Sequence, residues 1–137
     1  MPMSSQVGLW IDHRQAFIVH LAADKTTSKI ILSNLEKHVR ASGGSRSSTP
    51  YGPQDIFAED RVYRKFKHHL QQYYERVVRS IRGAESIFIM GPGEAKDELK
   101  KYLEKPKQKP HPVIKIETVD KMTEAQIVAR VREHYLR

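Results

Sequence analysis

Asp12 closes the apolar run "VGLWID". A carboxylate at the end of a leading strand can help to hold metal ions for phosphodiester cleavage, but that chemistry needs several convergent acids. Gly91 and Pro92 stand after the fourth apolar run where a second acid would be wanted, and the long helix offers Glu75 as its one interior acid. Asp12 is therefore read as a hairpin-turn residue that bonds its own backbone. Seven histidines are present, yet His68 and His69 are adjacent and sit ~100° apart on a helix, so they do not form an i, i+4 ligand pair. Neither a metal site nor a cofactor is expected. Ser42, Ser45, Ser47 and Ser48 lie near His38, without a nucleophile elbow or an orienting partner for the imidazole. "GPGEAK" opens a helix after a buried strand, where free backbone N–H groups can receive phosphate. It matches neither nucleotide-binding fingerprint and suits a tight turn, with Lys96 as a candidate phosphate contact.

The elements that must position these groups follow from periodicity. "VGLWID" and "AFIVHLA" read as a β-hairpin, and "SKIILSNLEK" as a third strand. The stretch "ASGGSRSSTPYGPQD" then interrupts the pattern, and a flexible Gly/Ser/Pro loop is expected over about residues 36–55. Val62, Phe66, Leu70, Tyr73, Val77 and Ile81 predict a helix over about 58–82. "ESIFIMGPG" gives a buried strand ending in a turn, and Ala95, Leu99 and Leu103 a second helix stopped by "KPKQKPHP". "VIKIETV" is a fifth strand, and Thr123 with Gln126 has capping-box spacing ahead of a third helix. The order βββ-α-β-α-β-α implies an α/β fold, a five-stranded mixed sheet with helices on its faces.

With 137 residues and 39% hydrophobic content, one globular domain over 1–137 is expected. The first 25 residues do not read as a signal peptide, no run approaches the ~18 apolar residues of a membrane span, and cysteine is absent. These features fit a cytoplasmic protein with no membrane partner. Lys and Arg outnumber Asp and Glu by 24 to 16, a net charge of +8 that favours polyanions. The charge is also arranged. On a helical wheel Arg61, Arg64, Lys65, His68, Arg76, Arg79 and Arg82 share an arc of ~120° opposite the apolar stripe, and Glu75 is the one acid there. A mixed-sign face would read as plain solvation; a nearly one-signed face reads as a contact surface for RNA or another polyanion. Arg40 and Arg46 in the loop, and Lys100, Lys101, Lys105, Lys107 and Lys109 near the linker, are candidates to extend it.

"VGLWIDHRQAFIVHL", "HVRASGGS", "YRKFKHHLQQYYERV" and "ESIFIMGPGEAKDELKKYL" together resemble the middle domain of archaeal and eukaryotic class 1 peptide-chain release factors and of their relative Pelota. The resemblance runs from about residue 6 to the C-terminus and implies a ribonuclease H-like three-layer fold. In release factors the loop carries Gly-Gly-Gln, which enters the peptidyl transferase centre and helps water attack the peptidyl-tRNA ester. Gly43 and Gly44 match the two glycines, and Ser45 stands in place of the glutamine. What the resemblance implies is a translation-associated protein that binds ribosomal RNA, tRNA or the ribosome and, lacking the amide, does no chemistry. The alternative is a peptidyl-tRNA ester hydrolase using residues 43–45, and a third reading is a module whose basic face meets an acidic protein. The oligomeric state is not legible.

Overall fold

The computed structural model describes residues 6–22, 25–34, 53–105 and 112–136. Five strands, β1 (Gln6–Ile11), β2 (Gln15–Leu21), β3 (Thr26–Leu32), β4 (Ser86–Gly91) and β5 (Val113–Thr118), form one sheet in the order β3-β2-β1-β4-β5. β1 pairs antiparallel with β2 and β2 with β3, whereas β4 lies parallel to both β1 and β5. Three helices are described: α1 (Pro53–Ser80), α2 (Ala95–Leu103) and α3 (Glu124–Leu136). The α/β fold with a mixed five-stranded sheet is as the sequence order predicts.

The near-continuous apolar runs of β1, β2 and β4 follow from their being covered on both faces. Val7, Leu9, Ile11, Ala16, Ile18, Ile87 and Ile89 point to one side, where α1 and α2 pack. The alternate residues Trp10, Phe17, Val19, Leu21, Phe88 and Met90 point to the other, where α3 contributes Ile127 and Val131. Three layers result, helix pair, sheet and single helix, each core built from one parity of the strands. α3 is tied down by polar contacts as well. The Trp10 indole N–H donates to Asp120 O at 3.2 Å, and the Tyr135 hydroxyl donates to Val7 O at 3.0 Å. The expected capping box is formed in both directions, Thr123 N–H to Gln126 Oε1 at 2.9 Å and Gln126 N–H to Thr123 Oγ1 at 3.1 Å.

Two boundaries differ from the sequence expectation. α1 begins at Pro53 rather than near 58, because a proline's missing N–H and fixed φ suit the first helical position, so the end of the Gly/Ser/Pro stretch is helical. β3 ends at Leu32, and Asn34 at φ 55° turns the backbone into the left-handed region, which an extended strand through Lys37 would not allow. α1 stops where Gly83 takes φ 92°.

Gly8 sets how closely α3 sits: a Cβ there would lie 2.4 Å from Val131 Cγ2. Gly8→Ala is expected to cost about 1–3 kcal/mol in urea unfolding. Adding Val131→Ala should make the double variant more stable than the two single losses summed, by about 1 kcal/mol. Strict additivity would mean that the two elements do not meet in this way.

Candidate nucleic-acid interface

α1 is amphipathic because its apolar residues recur at three- and four-residue steps. Tyr73, Tyr74, Val77, Val78 and Ile81 are buried and Leu70 packs against them. Tyr74 and Val78 are core residues that the four-residue row through Tyr73 and Val77 passes by; each is the next residue along. The 28-residue helix spans about 42 Å, against roughly 20 Å for a six-residue strand. α1 therefore outruns the sheet. From 61 to 69 no side chain is fully buried, and Tyr63 is 59% exposed.

The opposite face carries the predicted cations. Arg61, Arg64, Lys65, Arg76, Arg79 and Arg82 are all exposed, as are His68 and Glu75. Arg61, Arg64, Arg76, Arg79 and Arg82 make no ion pair among the described residues. Shallow grooves flank this ridge. One, of about 390 Å³, is lined by Ser33, Asn34, His69, Gln72, Glu75, Arg76 and Arg79. The other, of about 370 Å³, brings Lys105 beside Arg79 and Arg82, with Glu75, Val78 and Tyr102. Lys105 Nζ lies 4.2 Å from the centre of the Tyr102 ring. Of the expected extension toward the linker, Lys105 thus lies beside the ridge. Lys100 instead approaches Glu104 at 3.8 Å.

Lys96 does not join the ridge. It is 6% exposed and its ammonium donates to Gly93 O at 2.5 Å, which fastens the Gly91-Pro92-Gly93 turn. Its place one turn before Leu99 on the apolar stripe of α2 is the sequence signal for that burial. Arg40, Gly43, Gly44, Ser45 and Arg46, with the rest of the expected loop up to Gly52, lie outside the described residues, as do Lys107 and Lys109.

A polar clasp at the carboxyl end of β1 holds α1 in register. Asp12 Oδ1 accepts the N–H groups of Arg14 and Gln15 at 2.8 and 2.9 Å, the turn role expected of it. The Tyr73 hydroxyl donates to Asp12 O at 2.9 Å. The Tyr74 hydroxyl donates to Glu98 Oε1 at 2.5 Å, and His13 Nε2 sits 3.1 Å from the same oxygen. Sequence reasoning missed this cluster, which joins residues 24 and 85 positions apart. Among the described residues no group of three or more His, Asp or Glu side chains is placed to hold a metal ion. Nor is any described helix long and apolar enough to cross a membrane.

No protein-family profile matches the chain, and no curated protein matches it by sequence. Solved structures do match. The Pelota protein of Thermoplasma acidophilum superposes over 95% of this chain and 32% of its own, at 16% identity and a TM-score of 0.54. Pelota of Archaeoglobus fulgidus does so over 96% and 32%, at 12% identity and 0.55. An archaeal translation termination factor is matched over 96% of this chain and 40% of its own at 14% identity, but its TM-score of 0.36 is too low to argue from. The chain thus spans about a third of the length of either Pelota structure and has the fold of a Pelota-like domain.

Burial, with the Asp12 charge adding to it, raises the Tyr73 phenol above its ordinary value of 10.0, and Arg76 opposes the shift. Burial followed by the Glu98 hydrogen bond and charge raises Tyr74 in the same direction. Above pH 10 the unfolded chain loses these protons and the folded one keeps them, so stability should fall with rising pH by about 1.4 kcal/mol per unit for each phenol. Urea unfolding from pH 8 to 12 checks this. A Tyr73→Phe/Tyr74→Phe double variant should flatten the decline, and an unchanged slope would place the loss elsewhere.

Proposed function

We propose that this chain is a translation-associated protein that binds ribosomal RNA or tRNA through the cationic back of α1 and breaks no bond itself. One observation carries the reading: Arg61, Arg64, Arg76 and Arg79 on α1, and Arg82 in the turn just past its end, are exposed, of one sign and without ion pairs among the described residues, and the other face of the helix is fixed in the core. A face that needed only solvation would intersperse acids, since like charges one turn apart repel. Phosphates relieve that repulsion, and the counterions they release add to the affinity.

The Pelota-like fold and the release-factor-like motifs support a translational setting, and with it a cytoplasmic, ribosome-associated reading. Gly43 and Gly44 suit close approach of backbone to RNA, and Arg40 and Arg46 would add phosphate contacts beside them. Ser45 offers no side-chain amide to orient water, which favours binding over ester hydrolysis.

Co-sedimentation with ribosomes tests the reading. The wild type is expected to pellet at low salt and to be released as salt rises. Arg61→Glu/Arg76→Glu/Arg79→Glu should stay in the supernatant, and its affinity for structured RNA should depend on salt with a slope shallower by about three. Equal pelleting of variant and wild type would dispose of α1 as the contact surface. On ribosomes loaded with peptidyl-tRNA, wild type and Gly43→Ala/Gly44→Ala alike should leave the ester intact. Release above background by the wild type alone would establish the hydrolase instead.

A further inference from the structure

The cations of the ridge are not evenly spaced. Arg61, Arg64 and Lys65 form one group and Arg76, Arg79 and Arg82 another, and along the axis Lys65 and Arg76 stand roughly 16 Å apart. The face between them carries His68, Gln72 and Glu75, all exposed. Arg61 and Arg79 lie on one line of the helix, about five turns apart, so both groups point the same way.

From this spacing we infer that the ridge fits the two backbones of a double-stranded RNA stem rather than a single strand; the inference rests on the RNA-binding reading above. A strand laid along the ridge would set consecutive phosphates against the Glu75 carboxylate, where charge repels them. Single-strand binders also stack bases on exposed aromatic rings. The arc between Arg61 and Arg82 has no Phe, Tyr or Trp and offers the small His68 imidazole as its one ring: Tyr73 and Tyr74 are buried, and Tyr63 projects from the opposite side of the helix.

An A-form stem removes both difficulties. Its minor groove is wide and shallow, with a backbone on either side and 2′-hydroxyls across the floor. α1 lying across that groove meets one backbone with each arginine group. Gln72 then donates to and accepts from hydroxyls, and Glu75 accepts from them. A carboxylate in the middle of a phosphate-binding surface thereby becomes a contact. B-form DNA has a narrow minor groove and lacks the 2′-hydroxyl, so it offers neither the span nor the donor.

Fluorescence anisotropy at one fixed low salt tests this with three probes: an RNA hairpin, an unpaired RNA of equal length and a DNA hairpin of the same sequence. The RNA hairpin is expected to bind at least about tenfold tighter than either of the others. Arg61→Glu/Arg64→Glu and Arg79→Glu/Arg82→Glu should each bring it down to the level of the unpaired strand, with circular dichroism unchanged. Glu75→Arg, which fills the gap with a cation, should narrow the preference by strengthening single-strand binding. An unpaired strand or a DNA hairpin bound as tightly as the RNA stem would overturn the inference and leave RNA binding standing. Failure to bind any of the three would remove the underlying reading as well.

Discussion

Tyr73, Tyr74, Val77, Val78 and Ile81 lie under α1 with at most 4% of their surface exposed, and their burial decides which way the helix faces. Fully burying one aliphatic side chain of this size is worth about 1.5–3 kcal/mol. Two exposed cations one helical turn apart repel by less than about 1 kcal/mol in water. The core therefore holds the rotation of α1 against the mutual repulsion of its arginines, and 3.6-residue periodicity puts Arg61, Arg64, Arg76 and Arg79 on the far side. The cationic ridge is a consequence of the apolar stripe.

Rotation about the axis is set by burial, but sliding along it is not, and here the two tyrosines matter. Apolar contact is non-directional, whereas a hydroxyl aimed at one oxygen accepts only one register. Tyr73 is bound to the β1–β2 turn through Asp12 O, and Tyr74 to α2 through Glu98. The first bond fixes α1 to the sheet and the second fixes it to its neighbouring helix. Asp12 is thereby drawn into structure: its carboxylate caps the turn and its carbonyl anchors a phenol. The Gly91-Pro92-Gly93 turn beside it is similarly closed, since a Cβ on Gly91 would fall 2.3 Å from Ile11 O and Lys96 is bonded to Gly93. The carboxyl ends of β1 and β4 serve as a clasp.

The fold was legible to the extent that its information is local. Strand parity, the capping box at Thr123 and the proline break after α2 are written in neighbouring residues, and all eight described elements follow from them. The start of α1 was misread because Gly52-Pro53-Gln54-Asp55 is composed like a loop, although a proline at the first helical position is favourable. The cationic arc was legible because it depends on one helix and one angle. The His13–Glu98–Tyr74 cluster was not, because it needs three elements brought together by the sheet. Lys96 shows the middle case: its charge suggested a surface, while its spacing to Leu99 and Leu103 placed it in the apolar stripe.

What singles out α1 among the basic surfaces is how the two sides of the sheet treat their arginines. On α3, Arg130 is held by both oxygens of Glu117 at 2.6 and 2.5 Å and by Glu133 at 3.2 Å, and Arg132 donates to Thr26 Oγ1 at 2.8 Å. Arg130 also lies 5.6 Å from the Phe88 ring centre, and the paired carboxylates keep its guanidinium more firmly protonated than usual. Those side chains are committed to holding α3 against β5 and β3, and the field of Arg130 is largely cancelled by the acids beside it. On the cationic face of α1 from Arg61 onward one acid, Glu75, stands with Arg61, Arg64, Arg76 and Arg79, and with Arg82 just past the helix end, and these arginines make no ion pair among the described residues. A net charge of +8 would raise the potential everywhere if it were spread evenly. Paired at Arg130 and left unpaired along α1, the described charge is uneven between the two sides of the sheet, and cations without acids beside them add their fields.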